Sequence, residues 1–348
     1  MAAEPHTMFH EYMEQESKLD ALNFPEDLKE ILLAKGAEVI YVNDERGEGA
    51  TLVKFKHSQK LPAELPDGYC FIGGTARTVV LRELEGGAKS ARDIDIVAIK
   101  EFEPDPSIRE QLSTRYMSQD VRHGYGIKTE SILDYIYHRD FTMNEILVHG
   151  DEVYASPQAL LDLHNKTVRP SIYQRELWYD YETETNRIDP KLVMKALRIQ
   201  VEFEEFYGEG NVEGLEKWQF TTDAGPTFFI ALQLERAFER GDNVAFGFFT
   251  KLIEHGTVSK SRSPKVSSIV ADTPEELALA LNWHLKEDER NPFIFTDPRF
   301  NTGESPAEFL RKNPNCSDEE LYEHYAEEAD SGRKRIKRRG GKNKYIDN

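Results

Sequence analysis

The chain has 348 residues, with 44 Lys and Arg against 63 Asp and Glu, a formal net charge of −19, and a composition that is 39% hydrophobic and 31% charged. That is the profile of a globular protein large enough for two or three domains, and so acidic a balance argues against a surface that coats nucleic acid indiscriminately. No apolar run approaches the ~18 residues of a membrane span, and the first residues lack the pattern of a secretory signal. Cys70 and Cys316 are the only cysteines. They allow neither a disulfide framework nor a zinc cluster, so a cytoplasmic protein with no membrane partner is expected.

Residues 1–65 read as an N-terminal extension. Pro25 to Lys35 suits a short helix, and Ala37–Asp44 and Ala50–His57 suit two strands joined by the charged turn Glu45 to Gly49. Such a hairpin could extend a sheet edge. A Pro-containing segment, Leu61 to Gly68, leads into the next strand.

Tyr69 to Ile72 reads as a short buried strand, Gly73-Gly74 as a turn, and Thr75 to Glu85 as a helix ended by Gly86-Gly87. A glycine turn opening a helix offers N–H groups and the positive end of the dipole to a phosphate, and Arg77 adds a forked donor in the first turn. Asp93 and Asp95 follow, two apart in a run with Ile94, Ile96 and Ala98. Their spacing puts both carboxylates on one face of a strand. Paired carboxylates repel unless a cation neutralises them, and an oxygen-only pair suits Mg²⁺ or Mn²⁺. A phosphate cradle beside a metal-binding strand implies phosphoryl or nucleotidyl transfer.

Between Asp95 and residue 138 lie the Pro-rich stretch Glu101 to Ser107 and a helical pattern from Ser107 to Thr114. Ser118-Gln119-Asp120-Val121 suits a neighbouring strand. Asp120 is a candidate third carboxylate, as metal ligand or as base for an attacking hydroxyl, with a plain surface aspartate as the other reading. Gly124-Tyr125-Gly126 suggests a mobile loop near the site.

His138-Arg139-Asp140-Phe141-Thr142-Met143-Asn144 and the run that follows resemble the Arg-Arg-Asp-Phe-Thr-x-Asn segment of class II tRNA nucleotidyltransferases and bacterial poly(A) polymerases. These enzymes belong to the DNA polymerase β-like nucleotidyltransferase superfamily. Gly73, Gly74, Arg77, Asp93 and Asp95 resemble that family's other head motifs, in the same order. The resemblance covers roughly residues 66–205 and thins out to about 255. It implies an α+β chain, with a small mixed-sheet nucleotidyltransferase head at 66–172 followed by an all-helical neck and body at 173–260. It also implies metal ligation by Asp93 and Asp95, and a triphosphate held by Gly73, Gly74 and Arg77. Arg139 and Asp140, with Asn144 adjoining, would recognise the ribose. The substrates implied are an NTP (ATP, and in the CCA-adding case CTP) and the 3′ end of an RNA, most naturally tRNA. An ordinary ion pair is the plainer reading of Arg139 and Asp140.

The departures bear on specificity. Arg77-Thr78 stands where the family has Arg-Asp, and His138-Arg139 where it has two arginines. The family's base-reading Glu-Asp-x-x-Arg aligns with Ile188-Asp189-Pro190-Lys191-Leu192, which keeps Asp189 and replaces the arginine by a residue that donates no hydrogen bond. The next motif, Glu-Arg-Ile-x-x-Glu-Leu, aligns with Phe228 to Leu234 and retains only its apolar frame. Catalysis is expected to survive, while the change puts CTP-then-ATP ordering in doubt. Transfer to a non-RNA acceptor and a catalytically inactive RNA-binding homologue are the alternatives.

From Tyr173 the periodicity is helical. Asp189-Pro190 suits a helix start, and Leu192, Ala196, Ile199 and Phe203 share one face. Helices are predicted over Thr227–Arg240 and from Val244 onward. Residues 261–330 carry three capping-box patterns, starting at Thr273, Ser305 and Ser317, and read as a C-terminal helical region. Residues 331–348 form a basic tail expected to be disordered: Ser331 to Lys344 holds eight basic and no acidic residues, leaving a net −27 for the remainder. The tail suits RNA phosphates, an acidic partner or nuclear import, or a solubilising end.

Overall fold

The structure, a computed structural model, describes residues 18–43, 49–88, 90–91, 94–116, 126–177, 179–180, 185–186, 190–214, 226–263 and 269–287. The chain divides into two compact units, Met1–Arg187 with Phe206–Trp218, and Ile188–Glu205 with Gln219–Asn348. The sequence-based extension and head thus fall within the first unit. No helix among the described residues is long and apolar enough to cross a membrane.

The first unit is built on a seven-stranded mixed sheet. Its strands are β1 (Glu38–Asn43), β2 (Gly49–Lys56), β3 (Tyr69–Ile72), β4 (Asp95–Ile99), β5 (Thr129–Glu130), β6 (Ile146–His149) and β7 (Glu152–Ala155), in the order β1-β2-β7-β6-β3-β4-β5. All neighbours are antiparallel except β4 and β5. The predicted hairpin is β1–β2, and it joins the sheet through pairs such as Val53 with Ala155. Its turn, 44–48, lies outside the described residues.

Alternation along the strands gives the sheet two apolar faces. Leu52, Cys70, Val97, Ile99, Leu147 and Tyr154 meet Ile132, Tyr135 and Ile136 in one cluster. Phe55, Tyr69, Phe71, Ile96, Ala98 and Val148 alternate with these and are buried too. Helices in this part of the chain include α1 (Glu26–Ala34), α2 (Gly73–Glu85), α3 (Arg109–Tyr116) and α4 (Ile132–Tyr137). Beyond the last strand come α5 (Pro157–His164) and α6 (Ile172–Leu177). Helix α2 packs against β3, β6 and α5.

In the second unit the described helices are α7 (Pro190–Tyr207, of which Phe206 and Tyr207 belong to the first unit), α8 (Pro226–Arg240), α9 (Asp242–Glu254) and α10 (Pro274–Glu287). Leu192, Ala196, Ile199 and Phe203 are all buried, as their spacing implied. The α+β class is as expected, but the helical part is not purely helical, because Val258–Ser259 pairs in parallel with Ile269–Val270. At the start of α10 the Thr273 hydroxyl accepts the Glu276 N–H at 3.2 Å, and the Glu276 carboxylate accepts the Asp272 N–H at 2.8 Å. The capping patterns at Ser305 and Ser317, and the basic tail, lie outside the described residues.

Glu83 fixes the far end of α2. Its side chain, 1% exposed, pairs with Lys35 at the end of α1 and accepts hydrogen bonds from the Ser58 N–H at 2.9 Å and Gln59 Nε2 at 2.7 Å. Burial alone would raise its pKa; the bonds from Lys35, Ser58 and Gln59 outweigh burial and hold the carboxyl below its ordinary value. The unfolded chain therefore binds the Glu83 proton more readily, and the stabilisation is complete above the unfolded pKa and lost as pH falls through the folded one. In urea titrations Glu83→Gln should cost roughly 2 kcal/mol at pH 7 and flatten the loss of stability at acid pH. An unchanged pH profile would remove Glu83 as the acid-sensitive tie.

Candidate active site

Strand β3 runs into α2 without a loop. Ile72 is the extended N-cap and supplies no side-chain cap, and Gly73 takes φ +56° as the backbone turns. The expected Gly73-Gly74 turn is thus the first two residues of the helix itself. Gly73 is required twice over: its φ is one that side chains rarely adopt, and a Cβ there would lie 2.8 Å from Asp95 Oδ2. At Gly74 a Cβ would meet Ala91 at 3.6 Å, an ordinary contact. Asp95 is paired with Ile72 across the β3–β4 ladder, on the same side of β4 as Val97 and Ile99, and its carboxylate lies against the turn.

From that turn a chain of polar contacts crosses to the 138–144 segment. Arg77 Nη1 donates to Asn144 Oδ1, and Asn144 Nδ2 donates to Asp140 Oδ1 at 2.5 Å, which also accepts the Phe141 N–H at 2.9 Å. Tyr135, fully buried, donates its hydroxyl to the Asn144 carbonyl at 3.2 Å. Burial holds the Tyr135 phenol protonated, well above its ordinary pKa, against the opposing pull of Arg139 and of the Gly73 N–H directed at its oxygen. The Arg139 guanidinium lies over the Tyr135 ring at 3.9 Å and reaches Glu130 at 3.4 Å. Its Nε is buried with no hydrogen-bond partner.

The Phe-Thr-x-Asn run has a structural explanation beside the chemical one. Phe141 and Met143 are fully buried, and Thr142 donates to the carboxylate of Asp162, itself held by Gln158 Nε2 at 2.8 Å and Arg169 at 3.3 Å. Burial raises the Asp162 pKa even against the hydrogen bonds from Thr142 and Arg169. Next in sequence, Glu145 accepts from Ser156 Oγ at 2.5 Å. Burial pushes its pKa up to about 7 against that bond, with Asp162 adding to the rise and Arg175 and Arg139 opposing it.

Of the residues singled out from sequence, Gly73, Arg77, Asp140 and Asn144 meet directly or through one intervening side chain, Gly74 adjoins them, Asp95 faces the turn, and Arg139 is linked through Tyr135. Asp93, Asp120 and Asp189 lie outside the described residues. The strand beside β4 is Thr129–Glu130, and the acid on it is Glu130, which is given to Arg139. A two-residue strand leaves no periodicity for the sequence to show. Tyr135 was also missed, since an apolar helix hides a buried phenol; the only signal was its position four residues before Arg139. Leu192 is 5% exposed, so it is a core residue of α7. In the same unit Arg198 donates to Gln233 Oε1 at 2.8 Å and pairs with Glu202, so a buried polar network stands where the aligned motif loses its charges. No protein-family model matches the chain, and no curated protein matches it.

Among the described residues no three His, Cys, Asp or Glu side chains are grouped to hold a metal ion. Magnesium in a nucleotide site needs less: one or two carboxylates, with phosphate and water supplying the rest. Asp95 at the glycine turn fits that demand.

Glu145 supplies a test of the geometry. Its folded pKa lies above the unfolded one, so the folded protein binds more protons between about pH 4.5 and 7, and stability falls as pH rises through that window. Glu145→Gln should abolish this slope and raise stability at pH 8 by at most about 3 kcal/mol in urea unfolding. A variant less stable at pH 8 would show that the carboxylate is needed in its charged form.

Proposed function

We propose that the chain is a metal-dependent nucleotidyltransferase that transfers NMP from an NTP to the 3′ end of an RNA, by tRNA end addition or repair or by oligo(A) tailing. What carries the reading is the hydrogen-bonded path Arg77–Asn144–Asp140, which joins the glycine turn facing Asp95 to the ribose-recognition motif. Three segments distant in sequence that share one predicted chemistry are thereby neighbours.

In this reading Asp95, with Asp93, would hold Mg²⁺ or Mn²⁺, and the ion would supply charge neutralisation at the triphosphate and activation of the acceptor hydroxyl. Arg77 presents its fork to the phosphates while Asn144 fixes its direction. The first turn of α2, uncapped by a side chain, directs its dipole at the same oxygens. Asp140 accepts from a ribose hydroxyl, and the unpartnered Nε of Arg139 is a donor available to a sugar oxygen. Gly73 keeps the backbone clear of the Asp95 carboxylate.

Transfer to a protein or small-molecule acceptor is the second reading, favoured by the burial of Leu192 at the position of the base-reading arginine.

The test is purified protein with Mg²⁺, each labelled NTP in turn, and tRNAs with complete or trimmed 3′ ends. Label should enter RNA and vanish with EDTA and in Asp95→Asn. Ordered CTP and ATP incorporation on trimmed tRNA alone indicates end repair, and ATP-only labelling indicates tailing. Metal-dependent NTP binding with no labelled RNA would move the assignment to the second reading, and absence of NTP binding would end both. Gly73→Ala should fold and lose at least about a hundredfold in kcat, since misplacing one catalytic group by about 1 Å costs that much.

A further inference from the structure

Beside Arg139 and Asp140 lies a group of aromatic rings that no role described so far uses. Tyr137, the last residue of α4, and His138 have ring centroids 5.1 Å apart at 87°. Tyr173 on α6 completes the group, 4.7 Å from His138 at 75° and 5.5 Å from Tyr137 at 62°. The rings are therefore edge to face, the arrangement aromatic pairs prefer. His138 is held from behind, its Nδ1–H donating to the Asp134 carbonyl at 2.8 Å.

Two observations distinguish this group from a core cluster. Tyr137 is 48% exposed and the adjoining Ile172 57%, so the contact buries much less apolar surface than the same residues would bury inside the fold. The group is also clamped to the ribose pair: Ser171 Oγ donates to the Arg139 carbonyl at 2.5 Å, and the Ser171 N–H to the Asp140 carbonyl at 3.1 Å. A nucleotide whose ribose lies at Arg139 and Asp140 has its base one glycosidic bond away.

We infer that Tyr137, His138 and Tyr173 form the surface on which the base of the incoming nucleotide stacks. The inference rests on the nucleotidyl-transfer reading and adds to it how the base is held. A stacking surface takes any base by its π-face and discriminates by stacking strength, not by hydrogen-bond pattern. Leu192, which donates no hydrogen bond where the resembled family has its base-reading arginine, accords with such tolerance. The expected behaviour is purine nucleotides bound more tightly than pyrimidine nucleotides, without an ordered C-then-A programme.

The experiment compares binding of ATP, CTP and inorganic tripolyphosphate to the full chain in Mg²⁺, for the unaltered protein, the pair Tyr137→Ala with Tyr173→Ala, and the pair Tyr137→Phe with Tyr173→Phe. The alanine pair should weaken ATP at least about tenfold and leave tripolyphosphate unchanged, while the phenylalanine pair keeps ATP affinity. Equal weakening of ATP and tripolyphosphate would assign the rings a merely structural role and overturn the inference. So would unaltered ATP affinity in the alanine pair, including a case in which only affinity for a single-stranded RNA is lost. If the unaltered protein binds tripolyphosphate but ATP no more tightly, stacking fails and the phosphate site stands; if it binds neither, the nucleotidyl-transfer reading fails with it.

Discussion

Asn144 is the side chain on which the candidate site depends. It is 5% exposed, so its amide cannot turn to water, and each end has its own charged neighbour: the oxygen takes Arg77, the nitrogen gives to Asp140. An amide used this way can lie in only one sense, because reversing it would set nitrogen against guanidinium and oxygen against carboxylate. Arg77 on a helix and Asp140 on an irregular segment are thus held in register by a residue that belongs to neither. Its main-chain carbonyl, bonded to Tyr135, ties the same point to α4.

Arg139 is in a less settled position. Its guanidinium lies on an aromatic face, shares one nitrogen with Glu130 at the limit of a hydrogen bond, and buries another with no acceptor. A buried donor left unmade costs about 1–3 kcal/mol, which a ligand oxygen could recover on binding. That contrasts with Asp162, whose side chain is 1% exposed and surrounded by Thr142, Gln158 and Arg169.

What could be read from the sequence follows from where the information is local. The strand Tyr69–Ile72, the helix after it, the hairpin and the buried face of α7 all announce themselves through periodicity and glycine punctuation, and the structure has them. The link between Gly73 and Asp140 could be anticipated only through resemblance, because it is a contact across 67 residues between Arg77 and Asn144. The neighbour of β4 could not be read, since two residues give no period. Nor could the dual demand on Gly73, where backbone angle and a facing carboxylate coincide.

The order of the sheet sets a delay on synthesis. Strand β2 finds its partner in β7, with Val53 opposite Ala155 about a hundred residues later, so the hairpin is made long before the strand that covers its inner edge. At translation rates of about 5–20 residues per second, that edge waits roughly 5–20 s. During that time a two-stranded ribbon, marginal by itself, carries Leu52, Val53 and Phe55 with nothing packed on them from β7. The free edge of β2 is therefore open to mispairing between the emergence of β2 and that of β7.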